Sequence, residues 1–497
     1  MFSLIECLKT HAKNIPHSSA VKDNQYTLNY TQLYEAVVIL SEQITSLKPQ
    51  AIGLLMDNSV AWVVSDLAAQ LLTVPIVPLP AFFSAQQLHH VIHTTGIDLV
   101  LTDQPTQVQP LLTPICQQQL SLSQSIQAFQ LSRLAEITYP PNTLKITYTS
   151  GTTGQPKGVC LSLENMMRVV DALVSITQAT PKDQHVCVLP LPLLLENIVG
   201  VYAPLSIGAC CCVPSLQTVG LQGATSLDVL RLLNTLSAFQ ATTAIVLPQM
   251  LQAMVEALEA GVPNTLSLRF LAVGGAPVST QLLARAQQCN LPVYEGYGLS
   301  ECASVVTLNV PDANQQGSVG KPLPHVRLRF AEDGEILAKG AVAAGYLDKP
   351  FELSDNFLPT GDLGYLDEAG FLYLTGRKKN CFITAFGRNV APEWVEKELV
   401  LQPEIAQAFV FGEAKPFNVA VLVPRKADIT IKQLTQAVER TNQDLPDYAK
   451  VHAWTVAQAP FTPQNNQLTA TGRLRREVIL KNYKMSITHL YEGKEGQ

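Results

Sequence analysis

Residues 147–158 read Thr-Tyr-Thr-Ser-Gly-Thr-Thr-Gly-Gln-Pro-Lys-Gly, and eight of these twelve are Gly, Ser or Thr. Glycines let successive backbone N–H groups converge on an anion, and small hydroxyls add donors at little steric cost. Lys157, at the end of the loop, supplies a point charge suited to a polyphosphate. Thr149, Ser150, Gly151, Thr152, Thr153, Gly154 and Lys157 are therefore candidate phosphate ligands. A polar hairpin turn is the plainer alternative, but the density of hydroxyls and the terminal lysine favour phosphate. The stretch is not a Walker A motif: counting from Gly151, Pro156 falls where that motif has its glycine, and Gly158 follows the lysine.

Further chemistry-bearing segments follow in order. Gly274-Gly275-Ala276-Pro277 sits between an apolar run and a helical pattern that starts at Ser279. Tyr297-Gly298-Leu299-Ser300-Glu301 combines a π-face, an O–H donor and a hard oxygen ligand. Asp362 lies in Thr-Gly-Asp-Leu-Gly, and Arg377 in Gly-Arg-Lys-Lys-Asn. Taken singly, these read as ordinary turns and solvated charges.

Taken in order over more than 200 residues, they resemble the adenylate-forming (AMP-binding) superfamily of acyl-CoA synthetases, luciferases and peptide-synthetase adenylation domains. The likeness runs from about Tyr26 to Arg476 and looks nearest to long-chain fatty acyl-CoA synthetases. It implies an acid–thiol ligase that uses ATP and Mg²⁺ to make acyl-AMP and pyrophosphate. The acyl group then passes to the thiol of CoA or of carrier-protein phosphopantetheine, which share one arm and are not distinguished. The resemblance implies that Tyr297 stacks on adenine, Ser300 touches the α-phosphate and Glu301 holds Mg²⁺. It gives Asp362 the ribose hydroxyls and places Arg377 near ribose and phosphate. Gly275, Ala276, Pro277 and Gly298 are implied to pass along the nucleotide, Gly274 and Gly275 along the acyl group, and Gly387 beside the thiol arm.

The pattern departs from the family at four positions. Ser300 replaces Thr, and Asn380 stands where Asp is commoner. Leu193 takes the place of His in Leu-Pro-Leu-Pro-Leu-Leu-Leu-Glu, residues 189–196. Arg473 replaces the lysine implied to reach the carboxylate and α-phosphate. Arg is always charged and can fork across two oxygens, yet it is bulkier than Lys. Retained activity through Arg473 is the expected outcome; a catalytically weak nucleotide- or acyl-binding protein is the alternative. Leu193, Leu194 and Leu195 would leave a substrate ammonium without a partner, which disfavours amino acids and favours an apolar, fatty acid. Plain core packing accounts for the same leucines equally well.

These segments need a scaffold. A chain of 497 residues with 47% apolar content exceeds one compact core. Strand-like runs alternate with helical patterns, so we expect an α/β fold: a large N-terminal domain of layered, mostly parallel sheets, residues 1–379, and a small α+β domain, residues 380–497, hinged at Asn380. The Gln-rich stretch 103–130 reads as a surface loop with a helix. Cys210, Cys211 and Cys212 fall in a strand-like run and read as buried thiols facing alternate sides. The net charge of −6, with no basic block, argues against nucleic acid as a partner. The stretch 67–83 is broken by three prolines and Gln70, so no transmembrane segment is expected. Peripheral membrane contact stays open, and a cytoplasmic location is expected because no basic n-region precedes an apolar stretch at the N-terminus.

Overall fold

The computed structural model describes residues 3–492, apart from 106–113, 122–124, 133–136, 150–156, 223–225, 277, 386–387 and 470–471. Two nine-stranded sheets form the large part of the molecule. In the first, strands Val293–Tyr297, Phe270–Val273, Thr243–Val246, Gln184–Val186, Cys210–Cys212 and Ser19–Lys22 run parallel, with antiparallel strands at both edges. In the second, Ile76–Pro78, Ile52–Leu55 and Leu99–Thr102 are parallel, and Ile76 pairs with Lys145 of Thr143–Thr149. Purely apolar strands such as Phe270–Val273 suit a sheet covered on both faces.

Helices fill the space between. Val60–Leu72, capped by the Ser59 side chain, is buried over nearly all its length. The core it belongs to draws on both sheets, through Leu161 and Cys211, and on the turn that holds Tyr202. The three consecutive cysteines divide as the two-residue strand repeat requires: Cys211 joins this core, while Cys210 and Cys212 face the neighbouring one.

The Gln-rich stretch corrects the sequence reading. Pro105 is helical and residues 106–113, where a helix would continue, lie outside the described residues, but beyond them the loop is replaced by strands: Pro114–Ser121 and Ser125–Leu131 form an antiparallel pair, and the second strand adds to Leu99–Thr102. Ile126, Ala128, Phe129 and Leu131 are buried, so apolar anchors and backbone pairing at a sheet edge outweigh the glutamines' weak strand preference.

A four-stranded antiparallel sheet, Arg327–Phe330, Glu335–Lys339, Leu358–Leu366 and Leu372–Arg377, follows. The C-terminal part has cores of its own, built on the sheet Ile405–Phe411, Asn418–Pro424 and Val451–Val456 with the helices Pro392–Val400, Ile431–Asp444 and Lys484–Glu492. No described helix is long and apolar enough to cross a membrane.

Candidate active site

The strands Thr143–Thr149 and Lys157–Ser162 pair antiparallel, with Thr149 opposite Lys157. They bring the two ends of the hydroxyl-rich loop together at the rim of a cavity of about 2110 Å³. Ser150, Gly151, Thr152, Thr153 and Gly154 lie outside the described residues, as do Pro277 and Gly387. Lys157 is exposed, with its ammonium 5.1 Å from the Tyr346 ring centroid. The Tyr346 hydroxyl donates to Glu301 Oε1 at 2.8 Å. Tyr346 therefore ties Lys157 to the Glu301 carboxylate, and the first of these contacts spans almost 200 residues, which no local pattern signals.

Glu301 and Ser300 occupy a short 3₁₀ turn after Val293–Tyr297. Gly298 is required there. A Cβ at that position would lie 1.6 Å from the Ser304 carbonyl oxygen, so no other residue fits the turn. Tyr297 is buried and donates its hydroxyl to Asp362 Oδ2 at 2.7 Å. Burial, and then the Asp362 charge, push the phenol well above its ordinary range, so it stays a donor. Asp362 Oδ1 accepts from Arg377 Nε at 2.7 Å, and the two residues are direct partners across the Leu358–Leu366 and Leu372–Arg377 pair. The turn before Asp362 is pinned from below: Glu335 accepts the Gly361 N–H at 3.0 Å and an N–H of Lys378 at 2.7 Å.

Gly275 has φ +83°, a left-handed conformation that suits glycine, and its carbonyl points at the small domain. Arg473 Nε donates to that oxygen at 3.1 Å. Arg473 stays open to water through the cavity mouth, yet protein surrounds it closely. Burial lowers its pKa, and so does the like charge of Arg377; Asp362, Tyr297 and Glu301 act the other way. Arg473 thus sits in the field of Arg377, Asp362, Tyr297 and Glu301. Ala276 lines the cavity wall beside Gly274.

The lining also has an apolar part, with Leu193, Leu194, Leu195, Val199 and Ala203. Leu194 is also part of the main core, so pocket lining and core packing are both true of this run. Glu295, missed in the sequence, faces the cavity with its Oε2 unpartnered among the described residues. Burial raises its carboxyl to about 7, opposed by Lys397 from the small domain. Asn380 donates its side-chain amide to Glu393.

A model of the AMP-binding enzyme family matches residues 8–347, and one of the AMP-binding enzyme C-terminal domain matches residues 380–495. A long-chain-fatty-acid–CoA ligase of Mycobacterium bovis is 27% identical over 70% of this chain and 69% of its own length. A 2-succinylbenzoate–CoA ligase of Bacillus mycoides is 27% identical over 85% of this chain and 89% of its own. Among solved structures, an O-succinylbenzoate CoA synthetase of Bacillus subtilis with AMP superposes with a TM-score of 0.77 at 24% identity, over 95% of this chain and 97% of that one. An anthranilate CoA ligase with anthranoyl-AMP gives 0.81 at 16% identity, over 98% of both chains.

Proposed function

This chain belongs to the AMP-binding enzyme family, and from that premise we propose that it activates an apolar, fatty carboxylic acid as acyl-AMP and passes the acyl group to a thiol. The observation that carries the reading is the continuity of one cavity. Lys157, Glu301, Asp362, Gly275 and Leu193–Leu195 all line it, so a nucleotide and an apolar acid can meet in one space. Its residues imply this division of labour. Lys157 and the loop hydroxyls hold the triphosphate. Asp362, oriented by Tyr297 and Arg377, accepts from the ribose hydroxyls. Tyr297 offers its ring to the base, and Ser300 donates to the α-phosphate. The acid's carboxylate attacks the α-phosphorus in line with the departing pyrophosphate, and Arg473 stabilises the charge that develops on the phosphoryl oxygens.

A lone carboxylate with phosphate oxygens nearby fits a Mg²⁺ ion, which takes one or two carboxylates plus substrate phosphates and waters. Glu301 has Oε2 free of the Tyr346 bond to serve as that ligand, and the ion when bound would neutralise phosphate charge. For transfer, the small domain would turn about Asn380, withdraw Arg473 and present Gly387 to the arm of CoA or a carrier protein. Domain limits at 379/380 are part of this proposal.

Relatives that act on long-chain fatty acids and on 2-succinylbenzoate match at similar identity, so names alone do not choose the acid. The leucines favour an aliphatic one. Pyrophosphate exchange with a panel of fatty, aryl and amino acids tests this. Fatty acids should dominate, with preference rising about fourfold for each buried methylene until the pocket is full. Preference for aryl or amino acids would overturn the substrate assignment. Exchange with no acid at all would favour a binding protein.

A further inference from the structure

Behind the apolar end of the cavity lies a fully buried lysine. Lys145 places its ammonium 2.7 Å from Asp66 Oδ1 and 2.7 Å from the Tyr202 hydroxyl, and it donates to Asn197 Oδ1 as well. The Tyr202 hydroxyl donates to Asp66 Oδ2 at 2.6 Å and accepts from Gln70 Nε2 at 2.6 Å. The ammonium also lies 4.9 Å from the Tyr202 ring centroid. Three elements meet here. Helix Val60–Leu72 supplies Asp66 and Gln70, strand Thr143–Thr149 supplies Lys145, and Glu196–Tyr202 supplies Asn197 and Tyr202.

Glu196–Tyr202 is a π-helix. Its i→i+5 repeat stacks Asn197 and Tyr202 on one side, so both reach the same ammonium. In an α-helix, residues five apart diverge around the axis. The opposite side of this turn and its flanks carries Leu195, Val199 and Ala203 into the cavity. A second buried contact fixes the start of the turn: Glu196 meets His185 Nε2 at 3.2 Å and accepts the Leu189 N–H at 3.2 Å. Gly200 packs onto that contact; a Cβ there would come within 2.6 Å of Glu196 Oε1 and 2.8 Å of Cys187 Sγ. A buried ion pair is seldom the most stabilising way to fill a core, because desolvation offsets its attraction. Its strength is directional: it specifies one arrangement of the groups that bind it. Burial lowers the Lys145 pKa, and Asp66 opposes the shift.

We propose that Lys145, with Asp66 and Tyr202, is a positioning site that holds Glu196–Tyr202 in its wide π form and thereby sets the acyl pocket's cross-section and preferred acid. The proposal rests on the reading of Leu195, Val199 and Ala203 as acyl-pocket lining. The test uses the full chain in two forms. Tyr202→Phe keeps the ring and removes the hydroxyl. Lys145→Met with Asp66→Leu removes both charges together, so no lone buried ion is left. For each, kcat/KM is measured over straight-chain acids from short to long and over aryl acids of rising size, alongside the KM for ATP.

Gain or loss of about two methylenes of reach changes the long-to-short ratio roughly tenfold. That change, with the KM for ATP held within about twofold, is the expected result. A uniform fall across all acids, with ratios unchanged, marks a purely structural role and overturns the proposal. If the double variant fails to fold, Tyr202→Phe decides alone. If the wild type prefers aryl acids, the substrate reading fails separately. The ratio across aryl sizes then decides, and an unchanged ratio there refutes the positioning role.

Discussion

Replacing Arg473 with alanine removes the one cation that the described residues of the small domain hydrogen-bond to the cavity wall at Gly275. Its Nε is held by the Gly275 carbonyl at 3.1 Å, and the guanidinium lies within electrostatic reach of Asp362, Tyr297 and Glu301. The side chain is thus oriented before substrate arrives, and it sits close to a second cation, Arg377. Two like charges crowded together gain most when negative charge builds up between them, as it does on the α-phosphoryl oxygens. Loss of one charge-assisted hydrogen bond costs roughly 1.5–3 kcal/mol. Loss of one preorganised donor to a developing oxyanion slows reaction by about 10²–10³. Arg473→Ala should therefore slow acyl-AMP formation by about 10²–10³, read by pyrophosphate exchange. Transfer from pre-formed acyl-AMP to a thiol should stay within about threefold, because that step does not use this charge. Arg473→Lys keeps the charge and loses the fork, so it should retain most of the rate. Adenylation at the wild-type rate in Arg473→Ala would refute the reasoning, and Arg475 or Arg476 would then be examined as the source of charge. Of those two, Arg476 is already engaged with Glu396 at 2.6 Å.

Lys157→Ala should raise the KM for ATP at least tenfold, a loss of about 1.4 kcal/mol or more, in steady-state kinetics with ATP varied. Glu301→Gln should raise the Mg²⁺ concentration needed for half-maximal exchange, since an amide is a poorer ligand for a hard cation, and a Mg²⁺ titration reads this directly. Asp362→Ala should weaken nucleotide binding by calorimetry with the fold intact by circular dichroism; a loss of fold would instead mark Asp362 as structural, through Tyr297 and Arg377. Glu295 predicts a pH dependence of stability. Its carboxyl lies at about 7 in the folded chain, above its ordinary 4.5, so the folded state holds a proton that the unfolded state releases. That contribution is complete below about 4.5 and falls away as pH rises to about 7, by about 1.4 kcal/mol per unit. Denaturant melts of Glu295→Gln from pH 4 to 8 should show this decline flattened relative to wild type.

Much of the local backbone around the candidate phosphate loop and the Gly-rich turns was legible in the sequence because its devices are local. The strands on either side of the hydroxyl-rich loop formed where expected, since alternating apolar residues and their turn are set within a dozen positions. Gly298 and Gly275 could be singled out because a backbone that excludes a Cβ, or needs φ > 0, leaves a mark on the residue type itself. The cysteine run sorted to two faces because strand geometry dictates it. What the tertiary structure decided is how distant groups pair. Tyr346 reaches Glu301, Arg473 reaches Gly275 and Lys145 reaches Asp66, Asn197 and Tyr202, each across 45 to 198 positions. No periodicity records such contacts, because their energy arises only once packing has removed water and left each polar group one available partner. The loop expected over the second half of the Gln-rich stretch gave way to strands for the same reason. Its strands are held by an edge already built from Leu99–Thr102, and a glutamine's local preference counts for less than a backbone bonded to a neighbour. The π turn behind the leucine-lined cavity wall belongs with these: residues 196–202 have no sequence signal for five-residue spacing, and a buried lysine from another strand fixes it.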